Sequence, residues 1–138
     1  MEVKKYTRRE YRQSAVAVVY MFLMTHQDID VIIEDNEFAS SVGDFIDYLP
    51  LDEEMLDACY RVEERHDIYI KVIDSKIRKG WRFERLGRLE QSILLLALAE
   101  FEQGFQEKPS IVNEAVNLAK TFADNNSYRL INGVLDAL

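Results

Sequence analysis

The sequence predicts an all-α protein, and three observations lead there. Apolar residues recur three and four apart along most of the chain, as on one face of a helix. No segment alternates with the period of two that a half-buried strand requires. Only five Gly and two Pro occur in 138 residues, too few to punctuate many strands and turns. The composition, 48% hydrophobic and 30% charged, is ordinary for a globular chain, and the length suits one domain able to bury a real core. The pattern fits about seven helices.

Thr7 opens the first helix, with Glu10 at capping-box spacing. Tyr11, Ala15, Val18, Val19 and Phe22 follow at helical intervals. Val16, Tyr20, Leu23 and Met24 widen that face, which predicts burial on most sides past the first turn. His26, Gln27 and Asp28 close the helix. A second helix fits between residues 30 and 49 on Phe38, Val42, Phe45, Ile46 and Leu49. Pro50 stops it, because the residue before a proline disfavours helical backbone. Asp52, Glu53 and Glu54 read as a third start, acids at the positive end of the helix dipole, with Met55, Leu56, Cys59 and Val62 facing inward. The charged residues 63–67 read as a break or a solvated turn, after which Ile68, Ile70, Val72, Ile73 and Ile77 carry a separate helix to Gly80.

Trp81 to Leu86 form a connector anchored by aromatics. Leu89, Ile93, Leu96 and Ala97 then lead a central helix, and the apolar run 93–99 predicts burial on nearly every side. Gly104 ends it. Pro109 and Ser110 begin the next helix, whose stripe is Val112, Ala115, Val116, Ala119 and Phe122. The last helix buries Leu130, Ile131, Val134, Leu135 and Leu138.

The net charge of -8 opposes non-specific nucleic-acid binding, but it is unevenly spread. Residues 1–12 hold Lys4, Lys5, Arg8, Arg9 and Arg12 against Glu2 and Glu10, a net of +3 that leaves -11 for the remainder. Such asymmetry points to a basic nucleic-acid-binding arm. Cys59 is the single cysteine, which suits the cytosol. No signal peptide is legible at the N-terminus, and no apolar run approaches the roughly 20 residues of a membrane span. The expectation is a soluble cytoplasmic protein.

Arg8, Arg9 and Arg12 lie in the first turns of a helix, where the dipole disfavours cations, and Arg8 and Arg12 form a like-charge pair at i, i+4. A local rule broken without visible compensation points to function, and guanidinium forks beside a helix N-terminus suit phosphate oxygens. The plain alternative is a solvated basic face. On the last helix Arg129, Asn132, Gly133 and Asp136 share one face. Gly133 costs about 1 kcal/mol against Ala in a helix interior, so either a neighbouring helix packs tightly there or a ligand comes close. Asn113 and Asn117 read as caps for loop carbonyls inside the core. Enzyme chemistry is not expected: Cys59 and His66 lack a third group to form a nucleophile site, no metal-ligand spacing or glycine-rich phosphate loop occurs, and no cofactor is implied.

Four ordered segments carry a resemblance. Arg8-Arg9-Glu10-Tyr11-Arg12 leads into an apolar helix reaching Tyr20; Trp81 is followed by Arg85-Leu86 and Leu89-Glu90-Gln91-Ser92-Ile93-Leu94. Asn113-Glu114-Ala115 and Asn132-Gly133-Val134-Leu135-Asp136 complete the set. Together they resemble the NusB family of bacterial transcription antitermination factors over essentially the whole chain. The resemblance implies two small packed bundles, about residues 1–80 and 81–138, in a monomer or homodimer. It also implies binding of the single-stranded boxA element of nascent ribosomal RNA together with the ribosomal protein NusE, in the complex that helps RNA polymerase resist termination.

By position, Arg8, Arg9 and Arg12 match the family's arginine-rich RNA-binding motif, with Lys4 and Lys5 extending the arm. Tyr20 matches an aromatic near that surface, Asn126 and Arg129 complete the expected RNA contacts, and Glu90 falls where the central helix meets the ribosomal protein. Tyr11 stands where the family has a small residue, Leu130 replaces a common Phe, and Asn126 replaces a frequent acid. A helical protein-binding adaptor without RNA binding is the alternative. A NusB-like module of a ribosomal-RNA methyltransferase is set aside because no cofactor-binding segment is legible. Replacing the three arginines is expected to weaken RNA binding while leaving stability unchanged or slightly raised.

Overall fold

The computed structural model describes residues 6–42, 50–124 and 126–138, the side chains of 36–42 excepted. Among these residues the chain forms six α-helices and no strand: α1 (Arg8–Thr25), α2 (Ile29–Val42), α3 (Glu53–Lys76), α4 (Arg88–Gln103), α5 (Lys108–Phe122) and α6 (Ser127–Asp136). A 3-10 turn, Phe83–Arg85, lies between α3 and α4. Lys4, Lys5, Phe45, Ile46 and Leu49 fall outside the described residues, as do the side chains of Phe38 and Val42.

The predicted caps are formed. Glu10 Oε1 accepts from the Thr7 amide at 3.0 Å, and Thr7 Oγ1 accepts from the Glu10 amide at 3.1 Å. Asp52 accepts from the Met55 amide at 2.8 Å and starts α3. Gly104 ends α4 with φ +69, a left-handed position that glycine occupies without Cβ strain.

Residues 63–67 neither break nor turn: α3 runs unbroken for 24 residues. The stretch contains no Gly or Pro, and Glu63, Arg65 and His66 find tertiary partners. Glu63 accepts from the Ile29 amide at 2.6 Å at the start of α2, and Arg65 donates to Glu102 on α4 at 2.9 Å. The His66 ring meets Phe22 edge-on, centroids 5.4 Å apart. The inner face of α3 is Met55, Ala58, Cys59, Val62, Tyr69 and Ile73, which turns Ile68 and Val72 outward instead of into the core. Merging two expected helices into one brings the count to six.

α4 is the axis of the molecule, packed against α1, α3, α5 and α6. The run from Ile93 to Ala99 is buried throughout, and the core around it is one continuous cluster drawn from α1 through α6. The apolar faces of α1 and α5 are narrower than expected. Tyr20 and Met24, one turn apart, share an exposed face of α1, and Phe122 at the end of α5 is exposed. Among the described residues no single helix is long and apolar enough to cross a membrane.

Candidate nucleic-acid interface

The three arginines at the start of α1 are compensated through space. Arg12 is only 4% exposed and forks onto Glu100 of α4, Nε to Oε2 at 3.1 Å and Nη2 to Oε1 at 2.6 Å. Its Nη1 lies 3.8 Å from Glu114 of α5. Arg9 makes a second fork onto Glu114, both bonds 3.1 Å, and Arg8 pairs with Glu54 of α3 at 2.6 Å. The bonds from Arg9 hold the Glu114 carboxyl below its ordinary range, with the Arg9 and Arg12 charges adding to the effect. Three cations thus face three carboxylates, and the helix-dipole penalty is offset by tertiary ion pairs. The expectation that all three are dispensable for stability fails at Arg12, whose loss would strand Glu100 as a buried charge.

A second cationic surface lies at the other end of α4. A cleft of about 840 Å³ opens between the end of α3, the connector, and the starts of α4 and α6. Lys76, Arg78, Arg85 and Arg129 line it against two acids, Glu90 and Asp124. Among the described residues none of these four cations lies within ion-pair distance of a carboxylate. Arg129 donates instead to the Tyr128 hydroxyl at 3.3 Å, which lowers the Tyr128 pKa. The two surfaces are separated along α4: Glu90 and Glu100 are ten residues apart, about 15 Å of helix.

The predicted site residues therefore divide. Glu90, Asn126 and Arg129 meet in the cleft, whereas Arg8, Arg9 and Arg12 gather at the far end of α4. Tyr20, 38% exposed on α1, lies outside the cleft lining. Glu90 is half-buried, and its Oε1 accepts from Ser127 Oγ at 2.6 Å, which ties the start of α4 to the start of α6. Gly87 allows this fold-back, since a Cβ there would strike the Glu90 carboxylate.

Gly133 also lines the cleft, and a Cβ built on it would meet nothing within 4 Å. Tight helix packing does not account for that glycine. Asn113 lies at the surface and Asn117 is half-buried, so neither is a core cap. Cys59 is fully buried, its thiol directed at the Ala15 carbonyl, and burial pushes its pKa up to about 12.

Sequence reasoning missed Lys76, Arg78, Trp81 and Arg85. The signal was present: residues 76–88 hold six cations against Glu84 alone, a net of +5 that exceeds the +3 of residues 1–12. It was hidden because the segment reads as a connector between helices, not as a terminal arm.

Comparison with known proteins agrees with this architecture. The sequence profile of the NusB family matches residues 9–138. The chain is 33% identical over 137 residues to the transcription antitermination protein NusB of Campylobacter jejuni, covering 96% of this chain and 95% of that one. It is 30% identical over 145 residues to the same-named protein of Sulfurovum sp., covering 96% and 97%. The fold matches that of T. maritima NusB with a TM-score of 0.76 at 19% identity over 97% and 91% of the two chains. It also matches a chain in the crystal structure of antitermination factors NusB and NusE in complex with dsRNA, TM-score 0.65 at 23% identity over 94% and 93%. A profile that spans all but the first eight residues, with relatives a third identical along nearly their whole length, places this chain in the NusB family.

Proposed function

We propose that this chain is a transcription antitermination factor that binds the boxA element of nascent ribosomal RNA jointly with NusE. In this reading it works in the cytoplasm within the RNA polymerase antitermination complex, by binding alone, with no chemical step and no cofactor. The observation that carries it is the cleft, where four cations gather without carboxylate partners among the described residues, in a chain of net charge -8. Unpaired Lys and Arg side chains in a groove are what a phosphate backbone requires, and the positive ends of α4 and α6 open onto the same space.

Arg129 and Asn126 contact RNA there, while Lys4, Lys5, Arg8 and Arg9 supply a second, weaker patch, with Tyr20 as an aromatic nearby. Arg12 supports that patch by holding α1 on α4 instead of touching RNA. Glu90, positioned by Ser127, meets a basic face of NusE. Because the body of the chain is acidic, RNA binding is weak alone and strengthened when a basic partner shares the strand.

Titration of a boxA oligonucleotide with and without NusE, at several salt concentrations, tests the proposal. Salt-sensitive binding that NusE strengthens is expected, and Glu90→Lys should lower affinity for NusE in a fold unchanged by circular dichroism. The second reading, an adaptor without RNA binding of its own, is favoured by the pairing of Arg8, Arg9 and Arg12 with Glu54, Glu114 and Glu100. NusE binding with no RNA contribution from this chain would establish that reading and end the first.

A further inference from the structure

We propose that Trp81 is a stacking platform for one unpaired RNA base, set inside the cationic cleft. The inference rests on the RNA-binding reading above and assigns it a particular residue. The connector between α3 and α4 carries two aromatics with opposite fates. Phe83 is buried, and its backbone is held on both sides: its amide donates to Asp74 Oδ1 at 2.7 Å, and its carbonyl accepts from the buried Gln91 side chain at 2.9 Å. Trp81, two residues earlier, is 50% exposed. Its own amide donates to the Arg78 carbonyl at 2.9 Å, closing a turn through Gly80, whose φ of +94 favours glycine. A well-fastened segment thus presents a large flat ring to solvent.

The surroundings indicate what that ring meets. Trp81 is the one aromatic lining the cleft among the described residues, and Arg78, Arg85 and Arg129 line it too. An apolar protein segment would find guanidinium groups at the rim of its pocket. A nucleotide would find a flat face for its base and cations for its phosphate. Aromatic platforms within a positively charged groove are how single strands are held without a duplex, because every base has a π-face. Gly133 leaves open space in the same cleft where any other residue would project a side chain.

Trp81 is the single tryptophan of the chain, so its fluorescence reports this position directly. The experiment titrates full-length protein with single-stranded boxA RNA in the presence of NusE, using wild type, Trp81→Phe, Trp81→Leu and Arg129→Gln. Saturable quenching of wild-type emission on adding RNA is expected. Trp81→Leu should lose about 5- to 100-fold in RNA affinity, and Trp81→Phe should retain most of it. The slope of log K against log salt should stay the same in Trp81→Leu, which keeps every phosphate contact, and shrink by about 0.7 in Arg129→Gln.

Unchanged RNA affinity in Trp81→Leu, with no quenching in wild type, would overturn the platform while leaving RNA binding intact. Quenching by NusE alone, with Trp81→Leu losing NusE and not RNA, would assign the ring to a protein contact and overturn it as well. Absence of RNA binding by the wild-type protein beside NusE would instead reject the function on which the inference rests.

Discussion

Removing the Arg12 guanidinium leaves the Glu100 carboxylate charged and enclosed between α1 and α4. Breaking a buried pair from one side costs about 3–5 kcal/mol, so Arg12→Gln should lower unfolding free energy by that much in urea titrations. The double variant Arg12→Met with Glu100→Leu should recover most of the loss, since no charge is then stranded. Arg8→Gln should cost no more than about 1 kcal/mol, because the Arg8–Glu54 pair is about a third exposed and screened by water. Glu114 provides a pH test. Its folded pKa is depressed by the Arg9 bonds, so its stabilisation is present above the unfolded carboxyl value of about 4.3 and is lost as pH falls through the folded one. The stability gap between wild type and Glu114→Gln should therefore be widest near neutrality and close as the solution becomes more acidic than the unfolded value. A gap that widens in acid would contradict the assigned pairing.

At the level of elements, the junction of α4 and α6 depends on three small features acting together. Gly87 has no Cβ, Glu90 folds back over it, and Ser127 donates to that carboxylate. Gly87→Ala should displace Glu90 and break the bond to Ser127, costing about 1 kcal/mol in thermal melts. In a Ser127→Ala background the same substitution should cost less, because the bond it breaks is already gone. Equal costs in both backgrounds would mean that the glycine serves only its own backbone. The length of α3 follows similar logic: within the charged stretch that resembles a solvated turn, Glu63 and Arg65 are held by α2 and α4, so helix continues where isolated sequence suggests a stop.

For the molecule as a whole, the question is which end of α4 meets phosphate. Ion pairing neutralises the arginines near Glu100, whereas the cations near Glu90 have no carboxylate partner among the described residues. Changing Lys76, Arg78, Arg85 and Arg129 together to Gln should shrink the slope of log K against log salt by roughly 3, at about 0.7 per lost contact on a single strand. Changing Arg8 and Arg9 should shrink it by no more than about 1.4, and by less to the extent that Glu54 and Glu114 already occupy them. Salt titrations of the two variants beside NusE decide the matter. A larger effect from Arg8 and Arg9 would move the principal RNA contact back to α1.

Helix content, the caps at Thr7, Asp52 and Gly104, and the buried run of α4 were legible in the sequence because they depend on residues within one or two turns of each other. Family resemblance was legible as well, since it lives in the order of short motifs. The fate of the arginines was not. Arg12 meets Glu100 across 88 positions and Arg9 meets Glu114 across 105, and no local pattern reveals which acid will neutralise which base. Glu90, Asn126 and Arg129 could be named one by one, yet their meeting with Lys76, Arg78, Trp81 and Arg85 required α3, α4 and α6 to be packed. Periodicity and capping are short-range preferences that each segment carries with it. Charge compensation and the shape of a cleft are long-range sums over neighbours, and they exist only once the helices have converged on α4.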